Sequence, residues 1–200
     1  MMKQIVAIGS LVLGLGLTHA VLAAETPLDF VRAKQSELTA LVKKGNGADN
    51  KKKIESVFDA ILDYDALAQG SLRGNWDDRT PAERREFQDV LKQLVQRAYR
   101  RNLDRTLDYG ITFDGTEQQA GNAVVRTIAQ NRKNAREEPI SIDYDVHQVG
   151  GVWRIDDIVT EGSSLVANYQ QQFNRIIKKD GFAELMRRMK KRLASGASEP

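Results

Sequence analysis

Hydrophobic residues recur every three to four positions through the first half of the chain. This spacing predicts amphipathic helices over residues 26–42, 51–62 and 64–72. The stretch Thr80-Pro81-Ala82-Glu83 combines an N-cap residue, a proline at the first helical position and the glutamate of a capping box. A long helix is therefore predicted from this stretch to about Leu107.

From Gly110 the hydrophobic period changes to two, which is typical of β-strands. The predicted strands cover residues 111–116, 122–131, 140–149 and 152–161, and Gly150-Gly151 predicts a tight turn between the last two. The helical period returns after Gly162. This order predicts an α+β fold in which helices pack over a curved antiparallel sheet of about four strands. Two such layers can enclose an apolar ligand cavity. The apolar stripes alone favour an ordinary packed core, because they do not reveal a void.

The first 23 residues have the layout of a secretory signal peptide. Lys3 is followed by the uncharged apolar run 5–17 and then by Val21-Leu22-Ala23, a small-residue cleavage pattern. The run is shorter than the roughly 20 residues that a membrane-spanning helix needs, which favours a cleaved signal over an anchor. We therefore predict export from the cytoplasm, one domain over residues 24–194 and a flexible tail over residues 195–200.

Composition and charge exclude further classes of function. The chain has no cysteine, which excludes thiol catalysis and thiolate metal sites. Net charge is +3, yet residues 175–192 hold eight basic residues against Asp180 and Glu184. Such a run is either a solvated helix face or a docking patch for acidic partners or anionic lipid. No recognised nucleic-acid-binding motif accompanies it, so nucleic acid is not an expected partner.

The sequence offers little catalytic chemistry. His19 lies in the predicted signal peptide, and His147 is expected to be a surface residue on the polar face of a strand. Asp156 and Asp157 are predicted to point to opposite faces of their strand and so not to act as a pair. We therefore predict no enzyme activity, no metal and no cofactor.

Two segments resemble the MlaC (toluene-tolerance) family. Residues 151–173 read GVWRIDDIVTEGSSLVANYQQQF, which resembles the family pattern of a tryptophan strand, Glu-Gly-x-Ser-Leu and Asn-Tyr-Arg-x-x-Phe. A second, less specific block contains Trp76, Thr80, Arg84, Arg85, Phe87, Leu91, Leu94 and Tyr99. The resemblance covers essentially the whole mature chain. One departure is Gln170, which stands where the family usually has arginine, so any role of that arginine is in doubt here.

The resemblance implies a periplasmic, monomeric phospholipid-binding protein of an ABC-type lipid transport system that maintains outer-membrane lipid asymmetry. The implied partners are a phospholipid, an inner-membrane ABC transporter complex with a substrate-binding MCE-type subunit, and an outer-membrane lipoprotein/porin complex. Headgroup preference and the direction of transport are left open by the resemblance.

Large apolar residues on the predicted inward-facing stripes are the candidates for the acyl-chain site. They are Phe58, Ile61, Leu91, Leu94, Tyr99, Trp153, Ile158, Tyr169, Phe173 and Ile177. In the basic run, Arg187, Arg188 and Lys190 are the candidates for docking to acidic partner surfaces or anionic headgroups.

Two rival interpretations belong to other classes. One is a small α+β isomerase or dehydratase with an apolar pocket, which would need Asp143, Asp145 or Asp157 as its acid or base. A carboxyl with a strongly raised pKa in a pocket would favour that enzyme. The other rival is an interaction protein that holds no ligand.

Overall fold

The structure is a computed structural model that describes residues 25–45, 47–119 and 121–195. The side chains of residues 101–105 and 119 are excluded from the description. The predicted signal peptide over residues 1–23 and tail residues 196–200 lie outside the described residues, whereas Ser195 ends the last helix.

Helices occupy the first half of the described chain, as the hydrophobic period predicts. They are α1 (Pro27–Lys43), α2 (Ala48–Ile61), α3 (Tyr64–Leu72) and α4 (Pro81–Thr106), with a short 3-10 turn at Arg73–Asn75. The capping box is confirmed: the backbone N–H of Glu83 donates to Thr80 Oγ1 at 3.2 Å, and that of Thr80 donates to Glu83 Oε2 at 2.8 Å. These two bonds satisfy free donors at the start of α4.

Five antiparallel strands follow in the order β1-β2-β3-β4-β5, and the sheet is not closed. They are β1 (Tyr109–Gln119), β2 (Asn122–Asn131), β3 (Ile140–Val149), β4 (Val152–Thr160) and β5 (Ser163–Ser164). Gly150 and Gly151 both have positive φ, at 58° and 82°, as the predicted tight turn requires. Only β5 was not predicted, because two residues are too few to show a period.

Two helices complete the fold: α5 (Leu165–Asp180) and α6 (Phe182–Ser195), separated by Gly181 with φ 84°. Helices α1, α2, α3 and α5 contact the sheet, whereas α4 packs on α1, α3 and α6 and also contacts α2 through side chains. The predicted α+β class, with helices over an antiparallel sheet, is confirmed. Across the described residues, no helix is both long and apolar enough to cross a bilayer.

Candidate functional site

The strand register defines which face of the sheet meets the helices. Val125 of β2 pairs with Tyr144 of β3, which pairs with Ile158 of β4, so these three side chains share one face. Val146 and Ile155 pair on the same face and are only 2–3% exposed within the core that the helices share. We call this the inner face.

The helices cover the inner face unevenly. Near the turn between β3 and β4, the side chains of Val146, Trp153 and Ile155 are fully buried. Toward the opposite end of the strands, Thr127 and Ala129 of β2 are also buried. Six other inner-face residues at this end are only half-buried: Ile111, Phe113, Ile140, Ile142, Tyr144 and Ile158. We call these six residues the half-covered patch. Apolar side chains that lie on the inner face of the sheet and remain accessible are suited to an apolar ligand.

Tyr99 of α4 lies near this patch, close enough for the Tyr144 hydroxyl to add to the rise that burial causes in its pKa. Its ring stacks on Phe58 of α2 with centroids 4.4 Å apart, and its side chain remains half-buried. Burial raises the pKa of the Tyr99 hydroxyl, and the nearby hydroxyl of Tyr144 contributes next, followed by those of Tyr64 and Tyr169. Burial also raises the pKa of Tyr144 to about 12. Tyr99 and Tyr144 are therefore uncharged, which suits an apolar site.

The structure divides the ten candidate acyl-chain residues into two groups. Seven are fully buried and belong to the packed core: Phe58, Ile61, Leu91, Leu94, Trp153, Tyr169 and Phe173. Within this group the Phe173 ring stacks on Tyr169 at 5.4 Å and meets the edge of Phe87 at 5.7 Å, so these rings contact one another. The other three, Tyr99, Ile158 and Ile177, are half-buried. Ile158 is part of the half-covered patch, Tyr99 lies near it, and Ile177 lies one turn beyond Phe173 on α5.

Sequence reasoning missed five members of the half-covered patch as site residues: Ile111, Phe113, Ile140, Ile142 and Tyr144. The alternation of Ile140, Ile142 and Tyr144 with polar residues was visible and predicted their strand. It did not show which end of the sheet the helices leave half-covered, because that depends on how the helices pack.

The residues of the family-like segment 151–173 make structural contacts in this fold. The Trp153 indole donates to the backbone oxygen of Glu25 at 2.8 Å, which ties the start of the described chain to β4. The Asp157 carboxylate accepts from the Ser164 hydroxyl and from the backbone N–H of Val166 at 3.1 Å. Ser164 in turn caps α5 by accepting from the N–H of Ala167 at 2.9 Å.

A separate, acidic cavity of about 300 Å³ has none of the ten candidate residues in its lining. Its lining consists of Glu117, Asn122, Ala123, Val124, Asp145, Val146 and Asp156. Burial raises the pKa of Asp145 to about 6, and the neighbouring carboxylates of Asp157, Asp156 and Asp143 add to the shift. Burial likewise raises the pKa of Asp156.

His147 is not the free surface residue that its strand position predicted. Its Nε2 lies 3.0 Å from Asp63 Oδ2 and its Nδ1 lies 3.0 Å from Asp156 Oδ2, and only 19% of its side chain is exposed. The prediction failed because Asp63, at the start of α3, is brought to β4 by the tertiary fold. His147 therefore joins the α2–α3 connection to the sheet. Over the part of the chain that is described, no cluster of three or more ligand-type residues could hold a metal ion.

The three candidate docking residues on α6 are exposed but not free of partners. Arg187 and Arg188 pair with Glu184 at 2.6 and 2.8 Å, and Arg188 also pairs with Asp180 at 2.8 Å. Lys190 pairs with Glu86 of α4 at 2.5 Å. Hydrogen bonds from Arg187 and then Arg188 lower the pKa of Glu184 to about 2. A shallow cavity of about 480 Å³ lies over Arg187, Arg188, Lys191, Arg192 and Ser195.

Comparisons with known proteins agree with this geometry. The family model described as MlaC protein matches residues 32–191. Among solved structures, a phospholipid-binding protein from Ralstonia solanacearum, in complex with a phospholipid, is similar with a TM-score of 0.72 and 24% sequence identity. The match covers 84% of this chain and 97% of that protein, and at this identity it shows the shared fold. A comparison with curated protein sequences found no match.

Proposed function

Because the chain belongs to the MlaC family, we propose that it is a periplasmic carrier that binds a phospholipid and moves it between membranes. The observation that carries this proposal is the half-covered patch, six apolar inner-face residues that the helices leave accessible. The structural similarity to a phospholipid-binding protein supports it as well.

The free energy of exposing lipid tails explains why such a carrier is needed. Each buried methylene contributes about 0.8 kcal/mol, so two acyl chains of roughly 30 methylenes would cost on the order of 20 kcal/mol to expose to water. A protein that covers the tails removes most of this barrier. The half-covered patch presents isoleucine, phenylalanine and uncharged tyrosine side chains, which add no buried charge that would oppose hydrocarbon binding.

The transport role follows the family resemblance. We place the protein between an outer-membrane lipoprotein/porin complex and an inner-membrane ABC transporter with an MCE-type subunit. Export through a signal peptide cleaved after Ala23 would locate it in the periplasm, and a binding or transport protein rather than an enzyme fits the family. The exposed basic residues of α6 are proposed to guide docking to these partners.

Native mass spectrometry of the protein purified from cells tests lipid binding directly. We expect an adduct with the mass of one phospholipid. The Ile158→Trp variant should reduce occupancy several-fold with little change in melting temperature, because Ile158 is half-buried and a larger ring would occupy the accessible space.

Leu94→Ala is the matched control for a core position, since Leu94 is 1% exposed. It should lower the free energy of unfolding by about 2–5 kcal/mol, while the occupancy of the folded fraction stays unchanged. Recovery of the wild-type protein only at its bare mass would contradict the carrier function. Equal occupancy in Ile158→Trp and wild type would place the lipid elsewhere.

One observation favours a second candidate function, the small enzyme. Asp145 lies in a cavity and has a pKa raised to about 6, which is the property expected of a general acid or base. Turnover of apolar ketone or hydroxyacyl probes that is lost in Asp145→Asn would support this function. Absence of such turnover in the wild-type protein would reject it.

A further inference from the structure

Five exposed lysines cluster where α1 meets α2. Lys43 and Lys44 end α1, and Lys51, Lys52 and Lys53 lie in the first turns of α2. Within the described part of the chain none of the five forms an ion pair, and Asp49 is the acidic residue in the same stretch. We call these five residues the lysine corner.

The lysine corner differs from the basic run on α6 in how its charge is compensated. On α6, Arg187, Arg188 and Lys190 each pair with a carboxylate of α4, α5 or α6. Such pairing weakens the field that a partner experiences. Among the described ion pairs, two of the five basic residues of α6, Lys191 and Arg192, have no carboxylate partner, against all five lysines of the corner. The lysine corner therefore presents more uncompensated positive charge than α6, although sequence alone draws attention to α6.

The lysine corner lies at the same end of the molecule as the half-covered patch. Helices α2 and α4 run antiparallel, since Asp59 bonds Lys92 at 2.9 Å and Gln96 at 2.7 Å, and Glu55 pairs with Arg100. The start of α2 thus lies beside the end of α4. That end leads into β1, where Ile111 belongs to the patch.

The conformation of the corner is held by Asn50. Its side-chain amide donates to the backbone oxygens of Leu41 at 2.7 Å and Gly45 at 2.6 Å, which joins the end of α1 to the start of α2. The lysines themselves are flexible point charges rather than the rigid planar donors that recognise one carboxylate or phosphate bidentately. Several unpaired lysines on a fixed corner suit the diffuse negative charge of a bilayer.

We propose that the lysine corner binds the surface of an anionic phospholipid bilayer and turns the half-covered patch toward the membrane. This inference rests on the proposed carrier function, because orientation matters only if lipid passes through that end. The corner acts by charge, so no particular headgroup is selected beyond its negative charge.

Co-sedimentation with vesicles tests the proposal. The full-length mature protein is mixed with phosphatidylglycerol vesicles or with phosphatidylcholine vesicles. Each lysine near an anionic surface strengthens binding about fivefold, so Lys51→Gln, Lys52→Gln and Lys53→Gln together should weaken partitioning onto phosphatidylglycerol roughly 100-fold. The difference should shrink as salt is raised, because surface charges are screened.

Arg175→Gln, Lys178→Gln and Lys179→Gln on α5 form the matched control, since they remove the same charge from three exposed positions. This control should bind phosphatidylglycerol nearly as well as wild type. Equal loss in both triple variants would show a net-charge effect and overturn the proposal. Unchanged vesicle binding in the lysine-corner variant would also overturn the proposal. This includes a variant that binds vesicles normally and loses binding only to an acidic protein partner.

Native mass spectrometry of the same variants separates the two hypotheses. Lipid occupancy that stays at the wild-type level while vesicle binding falls supports the lysine corner as a docking surface. Failure of the carrier function itself would appear instead as absent lipid in the wild-type protein.

Discussion

Asp145 shows at the residue scale how neighbouring charges change a side chain's chemistry. It pairs across the strands with Asp157, on the face opposite Tyr144, and Asp143 and Asp156 are near. Burial, followed by these three carboxylates, raises its pKa from an ordinary 3.8 to about 6. In the folded protein Asp145 therefore keeps its proton at pH values where the unfolded chain has lost it.

We predict that Asp145 makes the protein less stable as pH rises from about 4 to about 6. In this window the folded state binds more protons than the unfolded state, so the free energy of unfolding falls with rising pH. Asp145→Asn removes this loss and should raise the melting temperature at neutral pH more than in acid. Thermal melts across the window measure the effect.

Exposed Asp114 on β1 provides the control. Asp114→Asn should leave the pH dependence of the melting temperature close to that of wild type. A melting curve for Asp145→Asn with the full wild-type pH dependence would show that Asp145 is not the responsible group.

At the scale of elements, β4, β5 and α5 form one hydrogen-bonded unit. Asp157 in β4 accepts hydrogen bonds from Ser164 and from the N–H of Val166, and Ser164 caps α5. The chain thereby reverses within a few residues and places α5 against β4. Asp157 and Ser164 of the family-like segment therefore stabilise the conformation of the chain between β4 and α5.

We expect Ser164→Ala to lower the free energy of unfolding by about 1 kcal/mol, the usual effect of losing an N-cap side chain. Asp157→Ala should lower it more, because the N–H groups of Ile158 and Val166 both lose their acceptor. Urea denaturation measures both changes.

The neighbouring Ser163 is exposed, and among the described contacts its hydroxyl bonds only with the side-chain amide of Asn168 in α5, so Ser163→Ala should be nearly neutral. Equal losses of stability in Ser163→Ala and Ser164→Ala would show that the loss at Ser164 does not come from its N-cap hydrogen bond.

At the scale of the whole molecule, the positions of the helices and of the charged residues define two positive surfaces and one partly covered sheet face. Helices cover one end of the inner face fully and the other end partly, and the lysine corner lies at the partly covered end. The basic face of α6 forms a second positive surface, partly neutralised by its own ion pairs. The two surfaces suit different encounters, one with a bilayer and one with proteins.

Reversing Arg187, Arg188 and Lys190 to glutamate should slow lipid transfer to the partner complexes more at low salt than at high salt. The reason is that charge steering accelerates association and is screened by ions. A fluorescent-lipid transfer assay at two salt concentrations measures the effect. Reversal of Arg175, Lys178 and Lys179 on α5 is the control. Equal rates for wild type and the α6 variant at both salt levels would show that the basic residues of α6 form a solvated surface and do not guide docking.

Much of the fold was predictable because its signals are local. The capping box at Thr80, the glycine turn at Gly150 and the period-two strands depend on residues close in sequence, and each lies where it was predicted. The two-residue β5 carried too short a pattern to be recognised.

The candidate site was less predictable because it depends on packing between distant segments. An apolar stripe shows that Leu94 and Ile158 face inward, yet Leu94 is buried in the core whereas Ile158 stays accessible. The burial and the ion pair of His147 were unpredictable for the same reason, since its partner Asp63 is far away in sequence.

The sequence by itself therefore determined the elements, their order and the family likeness, since short-range periodicity and capping specify local conformation. The tertiary structure alone decided which apolar residues remain accessible and which positive charges stay unpaired. Both properties arise from how the helices pack on one another and on the sheet, which no local pattern records.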